Sequence, residues 1–200
     1  MAAAVIDFWF TMGSTYTGLT VARYEVAVGE IPVRLRPFKN VGALTGTMSR
    51  PFTEGTAKMR YMYRDIERRA VARGLPLRMP FAYPAPDPVR ANRVALVGVR
   101  EGWGASYLRA AYRLWFTEGI GNGGEENLWR SLADAGQEGE IDRILALADS
   151  PEVTLELDAA TEEARNIGIF GAPTFVVADE IFWGDDHLED AIAWSRQTKA

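Results

Sequence analysis

Residues 170–177 read FGAPTFVV, a turn that leads directly into a β-rich run. Gly171 and Pro173 are typical of turns, and the four residues after them predict a buried strand. A proline at the start of a strand calls for an explanation, because proline lacks the backbone N–H that could donate a hydrogen bond within the sheet. Two interpretations are open: a trans proline that begins an edge strand, or a cis Ala172–Pro173 bond where another group needs the open backbone.

The pattern on either side of this stretch predicts strands and helices at both ends of the chain. The run is followed by a short turn, a strand at 181–183 and a helix from about 186 to 198, which together make a β-β-α unit. The first forty residues predict a strand at 4–10, a helix at 15–28 and a strand at 31–35. This strand–helix–strand order favours a parallel pair with a right-handed crossover.

The middle of the chain is predicted to be helical, with a proline-rich loop and a glycine-rich break. Apolar spacing and stop signals place helices at 52–74, 88–101, 105–117, 125–135, 140–148 and 151–168. We therefore predict an α/β fold with two parts. Residues 1–38 and 169–200 build one domain around a single sheet, and residues 39–168 form a long all-helical insertion between its halves.

The composition excludes several functional classes. The chain has 200 residues, a formal net charge of -5, no cysteine and one histidine. Without cysteine there is no disulfide, thiol nucleophile, cysteine-ligated zinc or iron–sulfur cluster, and we predict no metal site. The basic residues are dispersed, so we expect no nucleic-acid partner. The opening MAAAVIDFWF lacks the pattern of a signal peptide and no apolar run is long enough for a membrane span, so we expect a cytoplasmic protein.

Several motifs together resemble one group of proteins with the thioredoxin fold. A β-α-β half, a β-β-α half and a proline before the third strand resemble that fold, and a helical insertion between the halves is typical of its DsbA-like group. Within this group the chain is similar to 2-hydroxychromene-2-carboxylate isomerases and kappa-class glutathione transferases. The motifs that carry the resemblance are IDFWF at 6–10, GST at 13–15, RPF at 36–38, KMRYMYRDIER at 58–68, YRLWFTEG at 112–119, PEV at 151–153, IFGAPTFVV at 169–177 and IFWGDD at 181–186. The last two are more typical of the isomerases.

Ser14 opens the first predicted helix, at the position where redox members of this fold carry the first cysteine of a pair. The resemblance implies that Ser14 activates the sulfur of glutathione by donating a hydrogen bond to its thiolate. A helix N-terminus also favours an anion, and a stabilised thiolate has a lowered thiol pKa. The alternative role is a helix N-cap, for which serine is favoured, and the two roles are compatible. Thr15 stands where the family commonly has a proline, which would preorganise the first turn.

The resemblance implies glutathione as the cofactor and assigns residues to both of its ends. A cis bond to Pro173 would leave the backbone of Ala172 pointing into the site, where a peptide-like ligand can pair with it as an added strand. Asp185 and Asp186 would hold the γ-glutamyl end, with Asp186 pairing with its amino group. Asp185 stands where a small polar residue is usual. The alternative role of Asp186 is an N-cap of the last helix.

The second ligand implied by the resemblance is a small aromatic carboxylate. Lys58 matches a lysine of the family and is our candidate contact for the carboxylate. Ser49 aligns with an asparagine that contacts substrate or glutathione in the resembling enzymes, and the shorter side chain leaves the exact substrate open. Aromatic side chains are candidates for the lining of an apolar pocket, although such residues are more often core. They are Trp183, Phe38, Phe81 and Tyr83.

The function implied is a glutathione-dependent isomerase of aromatic catabolism that acts on a 2-hydroxychromene-2-carboxylate-like compound. The implied mechanism is addition of the thiolate, rotation about a bond and elimination, which regenerates the glutathione. Two alternatives stay open: a kappa-type transferase that consumes glutathione, and a non-catalytic thioredoxin-fold binding module. The resembling enzymes are often dimers, so we expect a homodimer.

Overall fold

The computed structural model describes residues 3–39 and 52–198, which contain one four-stranded sheet. The strands are β1 (Ile6–Phe10), β2 (Val33–Pro37), β3 (Thr174–Val177) and β4 (Glu180–Trp183). Their order is β2-β1-β3-β4; β1 and β2 are parallel, and the other neighbouring pairs are antiparallel. The expected β-α-β and β-β-α halves therefore share one mixed sheet.

The helices lie between and after the strands. In chain order they are α1 (Thr15–Val21), α2 (Tyr24–Val28), α3 (Ala57–Ala72), α4 (Pro88–Glu101), α5 (Gly104–Arg113), α6 (Glu125–Asp134), α7 (Ile141–Ala148), α8 (Pro151–Ile167) and α9 (Leu188–Gln197). A π-helical turn continues α5 at Leu114–Glu118, and 3₁₀ turns lie at Glu138–Glu140 and Asp185–His187. Within the described ranges, no helix combines the length and apolar character that crossing a membrane requires.

The sheet is buried on both faces because successive side chains of a strand point in opposite directions. On one face, Phe8 of β1 lies opposite Phe175 of β3, with ring centroids 5.2 Å apart. On the other face, Trp9 and Val176 pack with Ala164 of α8. Helices α4 and α8, from the middle of the chain, contact β2, so they pack against the sheet as well as against each other. The division at residues 39–168 stays a prediction.

The environment of Pro173 answers the question raised by FGAPTFVV. The Ala172–Pro173 bond is cis. Strand β3 is an interior strand, paired with β1 on one side and β4 on the other, and all four of its residues are buried. The interpretation of a trans proline at the start of an edge strand is therefore wrong.

Two helices differ from their predicted bounds. The helix predicted at 15–28 is two helices, because the chain leaves the helical conformation at Arg23, whose side chain is bound by distant carboxylates. The helix predicted at 105–117 changes to π-helical geometry at Leu114. Here Phe116 lies so close to α1 that a Cβ at Gly18 would lie 2.5 Å from its ring, so only glycine fits at position 18.

Candidate active site

The hydroxyl of Ser14 joins the N-terminus of α1 to the cis-proline loop. Ser14 is the N-cap of α1, and its Oγ accepts a hydrogen bond from the backbone N–H of Thr17 at 3.2 Å. The same hydroxyl donates to the carbonyl oxygen of Ala172 at 2.9 Å. The predicted N-cap is confirmed, and residues 158 positions apart in sequence are brought into direct contact.

The loop before β3 is held against the turn after β4. The backbone N–H of Gly184 donates to the carbonyl oxygen of Pro173 at 2.9 Å. The indole of Trp183 occupies the space that a Cβ at Gly171 would need, and it packs on the ring of Phe170 with centroids 4.9 Å apart. The side chain of Trp183 is about half exposed. The structure thus places Trp183 against Gly171 of the cis-proline loop, with part of its surface exposed.

Polar side chains from the helical middle of the chain hold the loop that precedes Ser14. Asn92 of α4 is fully buried; its Oδ1 accepts from the N–H of Met12 at 2.8 Å and its Nδ2 donates to the carbonyl oxygen of Lys39 at 2.8 Å. Asn122 donates to the carbonyl oxygen of Met12 at 3.0 Å. These contacts satisfy buried backbone groups that neither α1 nor the sheet reaches.

Tyr112 of α5 completes this support. Its hydroxyl lies 3.0 Å from the carbonyl oxygen of Ser14 and 3.1 Å from that of Thr11. Burial raises the pKa of Tyr112 well above its ordinary value, so the phenol keeps the proton that it donates to these carbonyl oxygens. Neither Tyr112 nor the two asparagines can be recognised from local sequence pattern, because their partners are distant in the chain.

Replacing Asn92 with alanine is expected to lower the free energy of unfolding by about 2 kcal/mol, because the N–H of Met12 is left buried without an acceptor. The change should also speed hydrogen exchange of the Met12 amide beyond the effect of lost global stability. Urea unfolding and native-state hydrogen exchange measure the two effects.

Asn127 offers a matched control for this prediction. It is also fully buried, and its amide donates to the carbonyl oxygens of Ala111 and Ile120, away from the Ser14 loop. Asn127→Ala should cost a similar free energy of unfolding but leave local exchange at Met12 unchanged. Equal local effects of the two variants on Met12 would contradict the role given to Asn92.

Asp185 lies at the centre of a buried ionic cluster. Its side chain has no exposed surface. One carboxylate oxygen accepts from Thr20 of α1 and from Nε of Arg23, each at 3.2 Å, and the other accepts from Nη1 of Arg73 at the end of α3. The contact with a ligand that the resemblance implied for Asp185 would require breaking these bonds. We therefore assign its side chain to positioning the turn between β4 and α9.

Asp186, one residue later, is exposed over about half of its side chain. Its Oδ2 lies 3.5 Å from Nη2 of Arg69, and its Oδ1 lies 3.7 Å from Nδ1 of His187. The N-cap interpretation of Asp186 is wrong, because His187 is the residue that precedes α9 and makes no side-chain cap. The side chain of Asp186 is thus available at the surface, and its contact with a ligand stays a prediction.

Arg69 of α3 was not singled out by the sequence. Its Nε donates to Asp65 at 2.9 Å, and Asp65 also accepts from Arg68 and from the hydroxyl of Tyr16, both at 3.1 Å. Burial raises the pKa of Asp65, but the hydrogen bonds from both arginines outweigh it and hold that pKa below its ordinary value. Burial and Asp65 together raise the pKa of Tyr16, which therefore remains a neutral donor. The signal in the sequence was the i, i+4 spacing of Asp65 and Arg69.

Lys58 is exposed at the N-terminal end of α3, and its Nζ lies 5.4 Å from the ring centroid of Phe52. One helical turn further on, Sδ of Met62 lies 3.4 Å from Oγ1 of Thr15, the residue after Ser14. Lys58 thus lies one helical turn before the residue of α3 that contacts α1. Ser49 lies outside the described residues.

The four predicted aromatic pocket residues are not brought together. Phe38 is fully buried in the cluster that contains Trp9 and Ala164. Phe81 and Tyr83 line a cavity of about 510 Å³, while Trp183 lies against the cis-proline loop. The expectation of one shared pocket is wrong because Phe38 directly follows β2 and packs on the sheet.

Comparisons with known proteins identify the family of this arrangement. Residues 5–192 match the model of the DSBA-like thioredoxin domain. The chain is 31% identical over 194 residues to a curated 2-hydroxychromene-2-carboxylate isomerase of Sphingobium xenophagum, with 92% of this chain and 94% of the relative covered.

Solved structures confirm the fold. A 2-hydroxychromene-2-carboxylate isomerase structure superposes with a TM-score of 0.77 at 23% identity, covering 94% of each chain. The cytosolic disulfide reductase DsbM of Pseudomonas aeruginosa, solved with GSH, superposes with a TM-score of 0.66 at 17% identity, covering 96% of this chain and 95% of that one. The chain belongs to the DSBA-like thioredoxin domain family and, within it, to the family of 2-hydroxychromene-2-carboxylate isomerases.

Proposed function

We propose that this protein is a glutathione-dependent isomerase of an aromatic acid of the 2-hydroxychromene-2-carboxylate class. Its family is one of isomerases, and the curated relative that shares 31% of its residues is named for this activity. The observation that carries the proposal is the Ser14 hydroxyl, which caps α1 and donates to the carbonyl oxygen of Ala172 beside the cis proline.

The hydrogen-bonding groups around Ser14 fit a thiol-bearing peptide. The N–H of Thr17 is satisfied by a lone pair of Ser14, so the single hydroxyl proton is free to turn from one acceptor to another. When that proton turns to a ligand sulfur, the carbonyl oxygen of Ala172 is open to accept a ligand N–H. Pairing of this kind is how an extended peptide adds to a sheet.

Ser14 would stabilise the sulfur anion through its hydroxyl. Helix α1 has seven residues, so we assign this stabilisation to the hydrogen bond and not to a helix dipole. Glutathione, when bound, supplies a nucleophilic thiol that is not consumed. A donor to the anionic sulfur lowers the thiol pKa and raises the fraction of nucleophile at neutral pH.

Lys58 and Trp183 would hold the aromatic acid. Lys58 is exposed in the first turn of α3, one turn before Met62, and its ammonium group can pair with the carboxylate of the substrate. The half-exposed indole of Trp183 beside Gly171 offers a flat apolar surface to an aromatic ring. Lys58 lies in α3 and Trp183 ends β4, so the two contacts to the substrate would come from different elements.

The experiment supplies 2-hydroxychromene-2-carboxylate with a small amount of glutathione and measures both product absorbance and free thiol. We expect a rate that saturates with glutathione and a thiol concentration that is unchanged after many turnovers. Loss of one thiol for each product would establish the transferase alternative instead. Calorimetry should show saturable binding of glutathione.

Two outcomes would contradict the proposal in different ways. Glutathione binding without turnover of any aromatic acid would support the non-catalytic binding module. If the protein does not bind glutathione at millimolar concentration, both the isomerase and the transferase hypotheses are wrong. The homodimer is part of the proposal, and sedimentation of the purified protein tests it separately.

A further inference from the structure

The two edges of the sheet differ in charge. Strand β2 lies at one edge, where Arg34 and Arg36 alternate with less polar residues. Arg34 pairs with Asp7, and Arg36 pairs with Glu163. Charged side chains on an edge strand discourage pairing with another chain. Strand β4 lies at the other edge and reads EIFW, so three apolar residues follow its single charged one and leave this edge without comparable protection.

The backbone of β4 directs hydrogen-bonding groups towards the open side of the sheet. Opposite residues of an antiparallel pair alternate between hydrogen-bonded and non-hydrogen-bonded. The N–H of Gly184 donates to the carbonyl oxygen of Pro173, so Phe182, two positions earlier, is the next residue of β4 that bonds to β3. Ile181 and Trp183 therefore direct their N–H and C=O groups outwards. No hydrogen bond from the rest of the described chain reaches these groups.

Exposed aromatic side chains border this open edge on both faces of the sheet. On one face, Trp183 and Phe170 are each 51% exposed and their ring centroids lie 4.9 Å apart. On the other face, Phe182 lies 6.5 Å from the ring centroid of Trp194 in α9, which is 40% exposed. Exposed apolar patches mark interaction surfaces, and aromatic residues are enriched at the centres of interfaces. The edge of β4 thus combines open backbone groups with an apolar surface.

We propose that β4 pairs antiparallel with β4 of a second copy of this chain, so that the four strands of each copy join in one continuous sheet. The inference rests on the homodimer of the proposed function and names its interface. In the arrangement that fits, Phe182 lies opposite Phe182 of the partner subunit, and Ile181 lies opposite Trp183 of the partner subunit. The outward N–H and C=O groups of Ile181 and Trp183 then bond to each other across the interface.

A second copy fits this edge because β4 is complementary to itself in that register. A twofold axis perpendicular to the sheet keeps each side chain on its own face, so opposite residues must belong to the same face. Ile181 meets Trp183 of the partner subunit on one face, and the two copies of Phe182 meet on the other. Glu180 lies opposite Gly184 of the partner subunit, so no like charges are paired. An axis at Ile181 would instead place Glu180 opposite the ring of Phe182.

The second copy would border the proposed substrate site. Trp183 lies against Gly171 of the cis-proline loop and is our candidate contact for the aromatic acid. In the proposed pairing, Ile181 of the partner subunit lies beside Trp183. Each copy would therefore contribute an apolar side chain next to the site of the other copy.

A single introduced cysteine tests the register directly, because the chain has no cysteine of its own. Phe182→Cys should form a disulfide-linked dimer under mild oxidation. The Cα atoms of a non-hydrogen-bonded antiparallel pair lie about 4.5 Å apart, which a disulfide can span. Trp129→Cys, on α6, is the control for random collision, since Trp129 is 43% exposed, and it should give no cross-linked dimer. Cross-linking of Phe182→Cys no faster than that of Trp129→Cys would overturn the register.

Sedimentation of the full chain measures the strength of the interface. Ile181→Pro removes an N–H that points away from β3, so the hairpin keeps its own hydrogen bonds. Each dimer loses two donors, and its Kd should rise about 10- to 100-fold. Trp194→Lys adds a charge beside β4 and should also raise the Kd. Trp129→Lys, which replaces a tryptophan of similar exposure on α6, should leave the Kd unchanged.

The outcomes separate the interface from the homodimer. A wild-type Kd in both Ile181→Pro and Trp194→Lys, together with an unchanged circular dichroism spectrum, would overturn the β4 interface and leave the homodimer. A wild-type chain that sediments as a monomer would overturn the interface and the homodimer of the proposed function together. Neither result bears on the isomerase activity, which the turnover and free-thiol measurements test.

Discussion

Ser14→Ala is expected to reduce turnover about 10- to 100-fold at neutral pH and to raise the thiol pKa of bound glutathione by one unit or more. A hydrogen bond to an anion contributes about 1.5–3 kcal/mol, and one pKa unit corresponds to about 1.4 kcal/mol. The sign follows from which form the hydroxyl stabilises: without its donor the thiolate is less stable, so the proton is held to higher pH. Thiolate absorbance of the complex as a function of pH measures this shift, and steady-state kinetics measures turnover.

The effect of Ser14→Ala on stability must be separated from its effect on turnover. The substitution also removes the N-cap of α1, which contributes about 1 kcal/mol to the free energy of unfolding. Ser150 is a matched control: its Oγ caps α8 by accepting from the N–H of Val153 at 3.3 Å. Ser150→Ala should lower stability similarly but leave turnover and the thiol pKa unchanged. Ser14→Thr keeps a hydroxyl and should retain most of the activity. Wild-type turnover and thiol pKa in Ser14→Ala would show that the hydroxyl only caps the helix.

Asp185→Ala is expected to lower the free energy of unfolding by about 3–5 kcal/mol, the largest effect on stability that we predict. The carboxylate is fully buried between Arg23 and Arg73, whose side chains are only 15% and 26% exposed. Removing it leaves the poorly solvated Arg73 without this carboxylate and Arg23 with Glu189 in its place, together with a Thr20 hydroxyl that has lost an acceptor. Urea unfolding monitored by two probes measures the loss and tests for a single transition.

Asp149 provides the comparison, because it also lies between two arginines. Its carboxylate contacts Arg90 at 2.7 Å and Arg93 at 2.9 Å, but its side chain is 40% exposed. Water can replace those contacts, so Asp149→Ala should cost less than about 1 kcal/mol. Similar losses in the two variants would mean that burial does not determine the contribution of Asp185.

Elements with strong local signals were predicted well from the sequence. Strand Thr174–Val177 and helix Pro88–Glu101 match their predicted bounds. Both depend on neighbours in the chain: a run of β-branched and aromatic residues in one, and a proline at the first helical position with a glycine after the last in the other. The break at Arg23 and the π-helical turn at Leu114 were missed because ion pairs and packing from distant segments produce them.

The site also combines features that depend on neighbouring residues in the chain with features that depend on distant ones. Ser14, Asp186 and Lys58 belong to motifs that can be recognised from the sequence. The local sequence pattern was enough to predict that Ser14 lies at the start of a helix. Asp185 looks equivalent to Asp186 in sequence, yet one is fully buried and the other is half exposed. That difference depends on Arg23 and Arg73, more than one hundred positions away.

The order of the elements, the absence of a cysteine nucleophile and the resemblance to the family could all be derived from the sequence alone. Hydrophobic periodicity, caps and turn residues act over a few positions, and a missing residue type needs no structure to interpret. Which polar groups meet depends on the packing of distant segments: Asn92 contacts the Met12 loop, Ser14 contacts Ala172, and Arg69 lies beside Asp186. Hydrogen bonds and ion pairs act only at contact distance, so residues far apart in the chain become partners only when packing brings them together.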